Sequence, residues 1–170
     1  MSDSPPRRVV LEVWCDLQCS DCRRALDDIR ALRTKYGDAL LVELRHFPLE
    51  KHPYATTAAQ AAEEAFAQGK GWPYVEAVLG RIREFDERGE KLLIEAAEEA
   101  GLDPAEVETA LIDGRHFLVV DTDLAEGKAI GVTGTPAYVI DGVLLDGSRN
   151  QEGLRERIEE IADRLLGSGG

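Results

Sequence analysis

The most constraining feature of the sequence is a strand pattern that passes directly into a helix pattern, with three cysteines at the junction. Residues 9–14 (VVLEVW) are β-branched and aromatic, interrupted only by Glu12, which is typical of a strand covered on both faces. Apolar residues then recur at helical spacing, at Ala25, Leu26, Ile29 and Leu32. This change of period predicts that Cys19 and Cys22 lie at the N-terminus of a helix.

A helix N-terminus favours redox chemistry at this cysteine pair. Its unpaired N–H groups and the positive end of the helix dipole both stabilise a thiolate, so Cys19 is the candidate nucleophile. Cys22 follows three residues later, within one helical turn of Cys19. That spacing allows Cys22 to form a disulfide with Cys19 and to resolve a mixed disulfide.

The same cysteines allow two metal-binding alternatives. A structural zinc site would need further ligands from histidines that form no H-x3–5-H pair, namely His46, His52 and His116. The spacing Cys15-x3-Cys19-x2-Cys22 also matches the iron–sulfur triad of radical SAM enzymes. Those enzymes need repeated β-α units, whereas the chain after residue 47 continues as one helical block. We therefore expect neither a metal nor a cofactor.

Two further residues are possible members of the site. Cys15, at the end of the first strand, is either a small buried hydrophobe, which we favour, or a third redox thiol. His46 ends the second predicted strand and is placed to lie near the sulfurs, although a hydrogen-bonded structural histidine is the commoner arrangement.

Composition limits the class of protein. The 170 residues, 44% of them hydrophobic, suit one globular domain. The 33 acidic residues against 20 basic ones give a net charge of −13, which argues against nucleic acid and membrane surfaces as partners. Three cysteines are too few for a disulfide scaffold, and no stretch has the length of a membrane span, so we predict a cytoplasmic protein. Residues 1–8 are predicted to be a disordered tail and residues 167–170 a flexible end.

Beyond the first helix, the chain gives an α/β pattern with a helical insertion. The first helix is predicted to run to about Tyr36, and residues 39–47 form a second strand, parallel to the first. The insertion covers about residues 54–113 and contains four predicted helices: residues 54–68, one from Pro73, residues 91–100 and one from Asp103.

The last part of the chain predicts helix, hairpin and helix. Residues 115–130 resume a helical pattern. The two short apolar runs that follow, residues 137–140 and 143–145, are joined by Asp141-Gly142, a strong signal for a two-residue hairpin. A closing amphipathic helix is indicated by Leu154, Ile158, Ile161 and Leu165.

Residues 9–166 resemble the DsbA-like branch of the thioredoxin-fold proteins. The resemblance is carried by four motifs: Cys19-Ser20-Asp21-Cys22, HFPLEKHPYA at residues 46–55, AQGKGW at residues 67–72 and GVTGTPAYVI at residues 131–140. It implies an α/β thioredoxin-like fold, a central mixed β-sheet flanked by helices, with an inserted all-helical subdomain. It further implies that the Thr135–Pro136 bond is cis and that both residues line a substrate groove beside the cysteines.

The function implied by the resemblance is thiol–disulfide exchange through the Cys19–Cys22 pair. Its substrate would be a protein or a small thiol or disulfide, with a separate redox donor or acceptor. The alternative is a redox sensor or adaptor of the same fold, whose disulfide switches partner binding without turnover. The sequence defines neither the direction of electron flow nor the oligomeric state.

Three departures from the family pattern bear on the site. Ser20 stands where the family usually has proline. The usual position of a buried acid is Val13, and Glu12 is one place out of phase on a regular strand, so it remains only a possible acid. Asp21 replaces the histidine of many oxidising members, and its charge should offset the helix dipole. We therefore expect a Cys19 pKa nearer the ~7 of thioredoxin than the ~3.5 of DsbA.

Overall fold

The computed structural model describes residues 8–167, and these contain a four-stranded mixed sheet. Its strands are β1 (Val9–Cys15), β2 (Leu40–His46), β3 (Ala137–Ile140) and β4 (Val143–Asp146). In the order β2-β1-β3-β4, β1 pairs in parallel with β2 and antiparallel with β3, and β4 pairs antiparallel with β3. The predicted central mixed β-sheet is thus confirmed, with β1, which ends at Cys15, in an interior position.

Helices surround this sheet and fill the insertion. They are α1 (Ser20–Tyr36), α2 (Ala55–Ala67), α3 (Gly71–Gly80), α4 (Phe85–Arg88), α5 (Lys91–Glu99), α6 (Pro104–Asp113), α7 (Phe117–Ile130) and α8 (Leu154–Gly167). Apart from Arg8 and Gly167, the predicted tail and flexible end lie outside the described residues. Within the described part, no helix is both long and apolar enough to cross a membrane.

The insertion differs from the sequence-based prediction in two details. The helix α4 was not predicted, because its single turn is too short to show a periodicity. The helix α3 begins at Gly71 rather than at Pro73, since proline is tolerated in the first turn of a helix. A Cβ atom at Gly71 would lie 2.1 Å from the Phe66 ring, so glycine allows α3 to start directly against the end of α2.

The two faces of β1 enter two apolar clusters. Leu11, Val13 and Cys15 face the main core, which also contains the buried residues of α1 and of the insertion. Trp14 faces a smaller cluster with Phe47, Val132 and Ala137. The predicted coverage of both faces of β1 holds at its C-terminal end only, because Val10, on the Trp14 face, is 40% exposed and Glu12 is half-buried.

The β3–β4 hairpin fixes the segment that faces the cysteines. Asp141 and Gly142 both have positive φ angles, 50° and 74°, as a type I′ turn requires. Just beyond β4, the N–H of Gly147 donates to the carbonyl of Pro136 at 2.9 Å. The loop before β3 is therefore held at the end of β1.

Candidate active site

The two cysteines of the C-x-x-C motif lie at the N-terminus of α1, as predicted. Cys19 is the N-cap residue, with extended backbone angles of φ −95° and ψ 122°, and Cys22 lies in the first turn. Both are free thiols, and both belong to the same buried cluster. The first turn of α1 thus brings together the two groups that a dithiol–disulfide cycle needs.

Cys22 is the inner sulfur of the pair. Its side chain is fully buried, and its Sγ accepts the backbone N–H of Asp16 at 3.4 Å. Burial, followed by a hydrogen bond with the Cys15 thiol, raises the pKa of Cys22 well above its usual value. Cys22 is therefore protonated and shielded until another sulfur reaches it.

Cys19 is buried, and it is less acidic than the sequence predicted. Only 6% of it is exposed. The hydrogen bond to Cys22, together with burial, raises the pKa of Cys19, and this outweighs the opposing hydrogen bond to Thr135. The expected pKa near that of thioredoxin is therefore wrong in direction for this dithiol structure. The helix terminus favours a thiolate, but withdrawal from water and a shared proton disfavour it more strongly.

The segment before β3 faces Cys19. The Thr135–Pro136 peptide bond is cis, and the Cys19 thiol points to the Thr135 carbonyl oxygen at 3.9 Å. Thr135 is itself 2% exposed, and its hydroxyl lacks a hydrogen-bond partner among the described residues. Thr135, one of the two predicted groove residues, thus adjoins the candidate nucleophile.

Asp16 is a buried acid beside the pair that the sequence did not single out. Its side chain is fully buried and accepts the N–H groups of Gln18 at 2.7 Å and Leu49 at 2.8 Å. Its Oδ2 also lies 2.7 Å from Nδ1 of His52. The carboxylate thus ties the loop before Cys19 to the segment after β2. No periodicity marks a lone loop acid as buried, and only its position three residues before Cys19 was visible.

The other candidate acid, Glu12, lies on the opposite face of the sheet from the sulfurs. It accepts a hydrogen bond from Arg45 at 3.0 Å and is half-buried, whereas Val13 faces the core with Cys15. The alternation of the strand therefore places Glu12 away from the redox pair, in an ion-paired surface network.

His46 is buried and forms hydrogen-bond contacts with two acidic residues. Its Nε2 lies 2.8 Å from Glu63, and its backbone N–H donates to Asp123 at 3.1 Å. His46, Glu63 and Asp123 bring possible metal-ligand atoms within 4.8 Å of one another. Asp123 is also paired with the Arg45 guanidinium at 3.1 Å, so a positive charge already occupies this cluster. The arrangement therefore fits an ion-pair network better than a metal centre.

Each of the three histidines considered as zinc ligands lies beside a different carboxylate. His46 contacts Glu63, while His52 contacts Asp16. His116, before α7, lies 3.0 Å from Glu64. None of these contacts joins a histidine to the cysteine pair, so they do not support the zinc alternative.

Ser20 and Asp21 differ in their exposure and in their contacts with other residues. Ser20 is exposed as the first residue of α1. The Asp21 carboxylate forms an ion pair with Arg24, and its carbonyl accepts the Gln151 side chain at 2.7 Å. The sequence predicts that the Asp21 charge should offset the helix dipole. In the structure that charge has a direct partner within the same helix.

The sequence of residues 10–159 matches the DSBA-like thioredoxin domain. The chain belongs to this family. Its fold is accordingly a thioredoxin-like α/β fold, and other members of the family are thiol–disulfide oxidoreductases. The helical insertion and the cysteine pair described above therefore belong to a domain of a known family.

Similar proteins include a curated relative and two solved structures. The chain is 33% identical over 141 residues to a Na(+)/H(+) antiporter NhaA of Herminiimonas arsenicoxydans, covering 83% of this chain but only 22% of the antiporter. A thioredoxin-like oxidoreductase from Silicibacter pomeroyi has a TM-score of 0.74 at 24% identity, with 92% and 87% of the two chains covered. Alpha-DsbA1 of Wolbachia pipientis has a TM-score of 0.81 at 17% identity, with 98% and 92% covered. The two structures share the fold.

Proposed function

We propose that this DSBA-like domain is a thiol–disulfide oxidoreductase that acts through Cys19 and Cys22. The observation that supports it most directly is the placement of both cysteines at the start of α1 in one buried cluster, with Cys19 directed at the Thr135 carbonyl. A groove formed by Thr135 and Pro136 would present a substrate disulfide to Cys19. The substrate class is a protein or small-molecule disulfide.

The reaction is two successive exchanges. The Cys19 thiolate attacks one sulfur of the substrate disulfide, forming a mixed disulfide and releasing the other substrate sulfur, which takes up a proton. The Cys22 thiolate then attacks Cys19 Sγ, releasing the second substrate thiol and leaving a Cys19–Cys22 disulfide. The protein has lost two electrons to the substrate, and a separate dithiol donor must return them.

Reduction of substrates is the direction we propose. A thiol with a raised pKa gives no thiolate stabilisation to the reduced protein, whereas the low thiol pKa of DsbA makes it a strong oxidant. The potential should therefore lie nearer the about −270 mV of thioredoxin than the about −120 mV of DsbA. Its place in the cytoplasm remains a prediction from composition.

The antiporter name of the curated relative does not extend to this proposal. The chain spans about a fifth of the length of that protein. Ion transport is an activity of the whole named protein, and the cysteine site described above accounts for none of it. The similarity of this domain to one part of a longer protein is compatible with either catalysis or redox sensing.

Insulin reduction in the presence of dithiothreitol tests the proposal. We expect wild-type protein to precipitate insulin B chain faster than dithiothreitol alone, and Cys19→Ser to give only the background rate. The burial of both sulfurs favours one alternative, a redox sensor whose disulfide changes partner binding. A wild-type rate equal to background would reject turnover in favour of that sensor.

A further inference from the structure

A third sulfur lies against the redox pair. Cys15 ends β1 on the face of Leu11 and Val13, in the same buried cluster as Cys19 and Cys22, and hydrogen bonding with its thiol contributes to the raised pKa of Cys22. The Cys22 sulfur also accepts the N–H of Asp16, the residue directly after Cys15. Cys22 is therefore the central sulfur of three, with Cys19 on its outer side and Cys15 on its inner side.

We propose that Cys15 is a third redox-active thiol, which competes with Cys19 for the bond to Cys22. The inference rests on the proposed redox function of the Cys19–Cys22 pair. In the oxidised protein, the Cys15 thiolate attacks Cys22 Sγ, the Cys19–Cys22 bond breaks and a Cys15–Cys22 bond forms. The proton lost by Cys15 is taken up by the Cys19 thiolate, so no net electron transfer occurs and no co-reactant is required.

The position of each sulfur favours this exchange. Cys15 is 3% exposed, and the N–H of the adjoining Asp16 donates to the Cys22 sulfur at 3.4 Å, so Cys15 lies beside Cys22 inside the protein. Contact within one molecule replaces a bimolecular encounter by a reaction of high effective concentration. The leaving sulfur, Cys19, lies at the N-cap of α1 beside the Thr135 carbonyl, and it takes up the proton that Cys15 loses.

The exchange gives the oxidised protein two linkage isomers with different reactivity. With Cys19 bonded to Cys22, the outer thiol is blocked. With Cys15 bonded to Cys22, Cys19 is a free thiol beside Thr135 and can form a mixed disulfide with a substrate without prior reduction of the protein. The site would then attack substrate disulfides in both of its redox states.

Disulfide mapping tests the inference, because cleavage before Asp16 and Asp21 places the three cysteines on three different peptides. Wild-type, Cys19→Ser and Cys15→Ala/Cys19→Ser proteins are oxidised with glutathione disulfide, and free thiols are blocked with N-ethylmaleimide in acidic denaturant. Serine is a good N-cap residue, so Cys19→Ser should fold. We expect a Cys15–Cys22 link in Cys19→Ser and loss of that link in the double variant.

A second measurement uses the free nucleophile. Oxidised wild-type protein treated with iodoacetamide without denaturant should be labelled at Cys19, and this labelling should be lost in oxidised Cys15→Ala. Folded Cys19→Ser without a Cys15–Cys22 link would overturn the inference. If wild type then still forms the Cys19–Cys22 link and reduces insulin, the proposed function stands. Absence of that link and of insulin turnover would reject the proposed function itself.

Discussion

The carboxylate of Asp16 lies 2.7 Å from Nδ1 of His52, and this contact joins the loop before the cysteines to the segment after β2. Because an ionised carboxylate only accepts hydrogen bonds, the histidine nitrogen is the donor. The same carboxylate accepts two backbone N–H groups, so its charge is satisfied although it is fully buried. The loop before the redox pair is thereby held in place by the Asp16 side chain.

Replacement of Asp16 should therefore destabilise the protein strongly. Asp16→Asn removes the charge and one acceptor site, and we expect the free energy of unfolding to fall by about 3 kcal/mol. Asp121→Asn, at an exposed position of α7, is the matched control and should change it by less than about 0.5 kcal/mol. Urea denaturation under reducing conditions measures both. Equal effects would show that Asp16 does not anchor the loop.

Mixed-disulfide trapping should distinguish the two cysteines. Cys22→Ser removes the resolving sulfur, so complexes between Cys19 and substrates should accumulate. Cys19→Ser should trap none, because Cys22 is fully buried. Non-reducing electrophoresis after incubation with cell extract reports the complexes. Equal trapping by the two variants would contradict the assigned order of attack.

The pH dependence of Cys19 alkylation follows from its raised pKa. Below its pKa a thiol is mostly protonated, and the reactive thiolate fraction grows about tenfold for each pH unit. Since hydrogen bonding to Cys22 and burial raise the pKa of Cys19, the iodoacetamide rate of the reduced protein should keep rising from about pH 6 to 8.5. The expectation fails if the rate levels off near pH 7.

Asp21 should have little influence on the redox potential. Its carboxylate is paired with Arg24 on a partly exposed surface, where such pairs contribute little. Asp21→Asn should shift the potential, measured by equilibration with glutathione, by about 10 mV or less. Asp27→Asn, at an exposed position paired with Arg30, is the control. A shift of about 30 mV confined to Asp21→Asn would restore the carboxylate as a modulator of Cys19.

Close packing behind β1 depends on a glycine of α7. A Cβ atom at Gly127 would lie 2.6 Å from Trp14 Nε1, so Gly127→Ala should cost about 1–3 kcal/mol of stability. Gly80 in α3 has open space around it, and Gly80→Ala should be neutral or stabilising by up to about 1 kcal/mol. Thermal unfolding of both variants measures the difference. Similar midpoints would show that α7 shifts to accept the methyl group.

Elements with their own local signal could be predicted from the sequence. The period change at Cys19 located α1, and Asp141-Gly142 located the β3–β4 turn, because both signals depend on neighbouring residues. The burial of Cys19 and Asp16 could not be predicted in this way. It is created by partners distant in sequence, such as Thr135 for Cys19 and His52 for Asp16.

The contact between Cys19 and Thr135 joins residues 116 positions apart. During synthesis at roughly 5–20 residues per second, the cysteines therefore precede the segment that covers them by about 6–23 s. For that interval β3 is not yet available to pair with β1, and the Thr135 segment is not yet available to cover Cys19. The nascent chain thus depends on the cellular environment to keep these thiols reduced until the complete fold buries them.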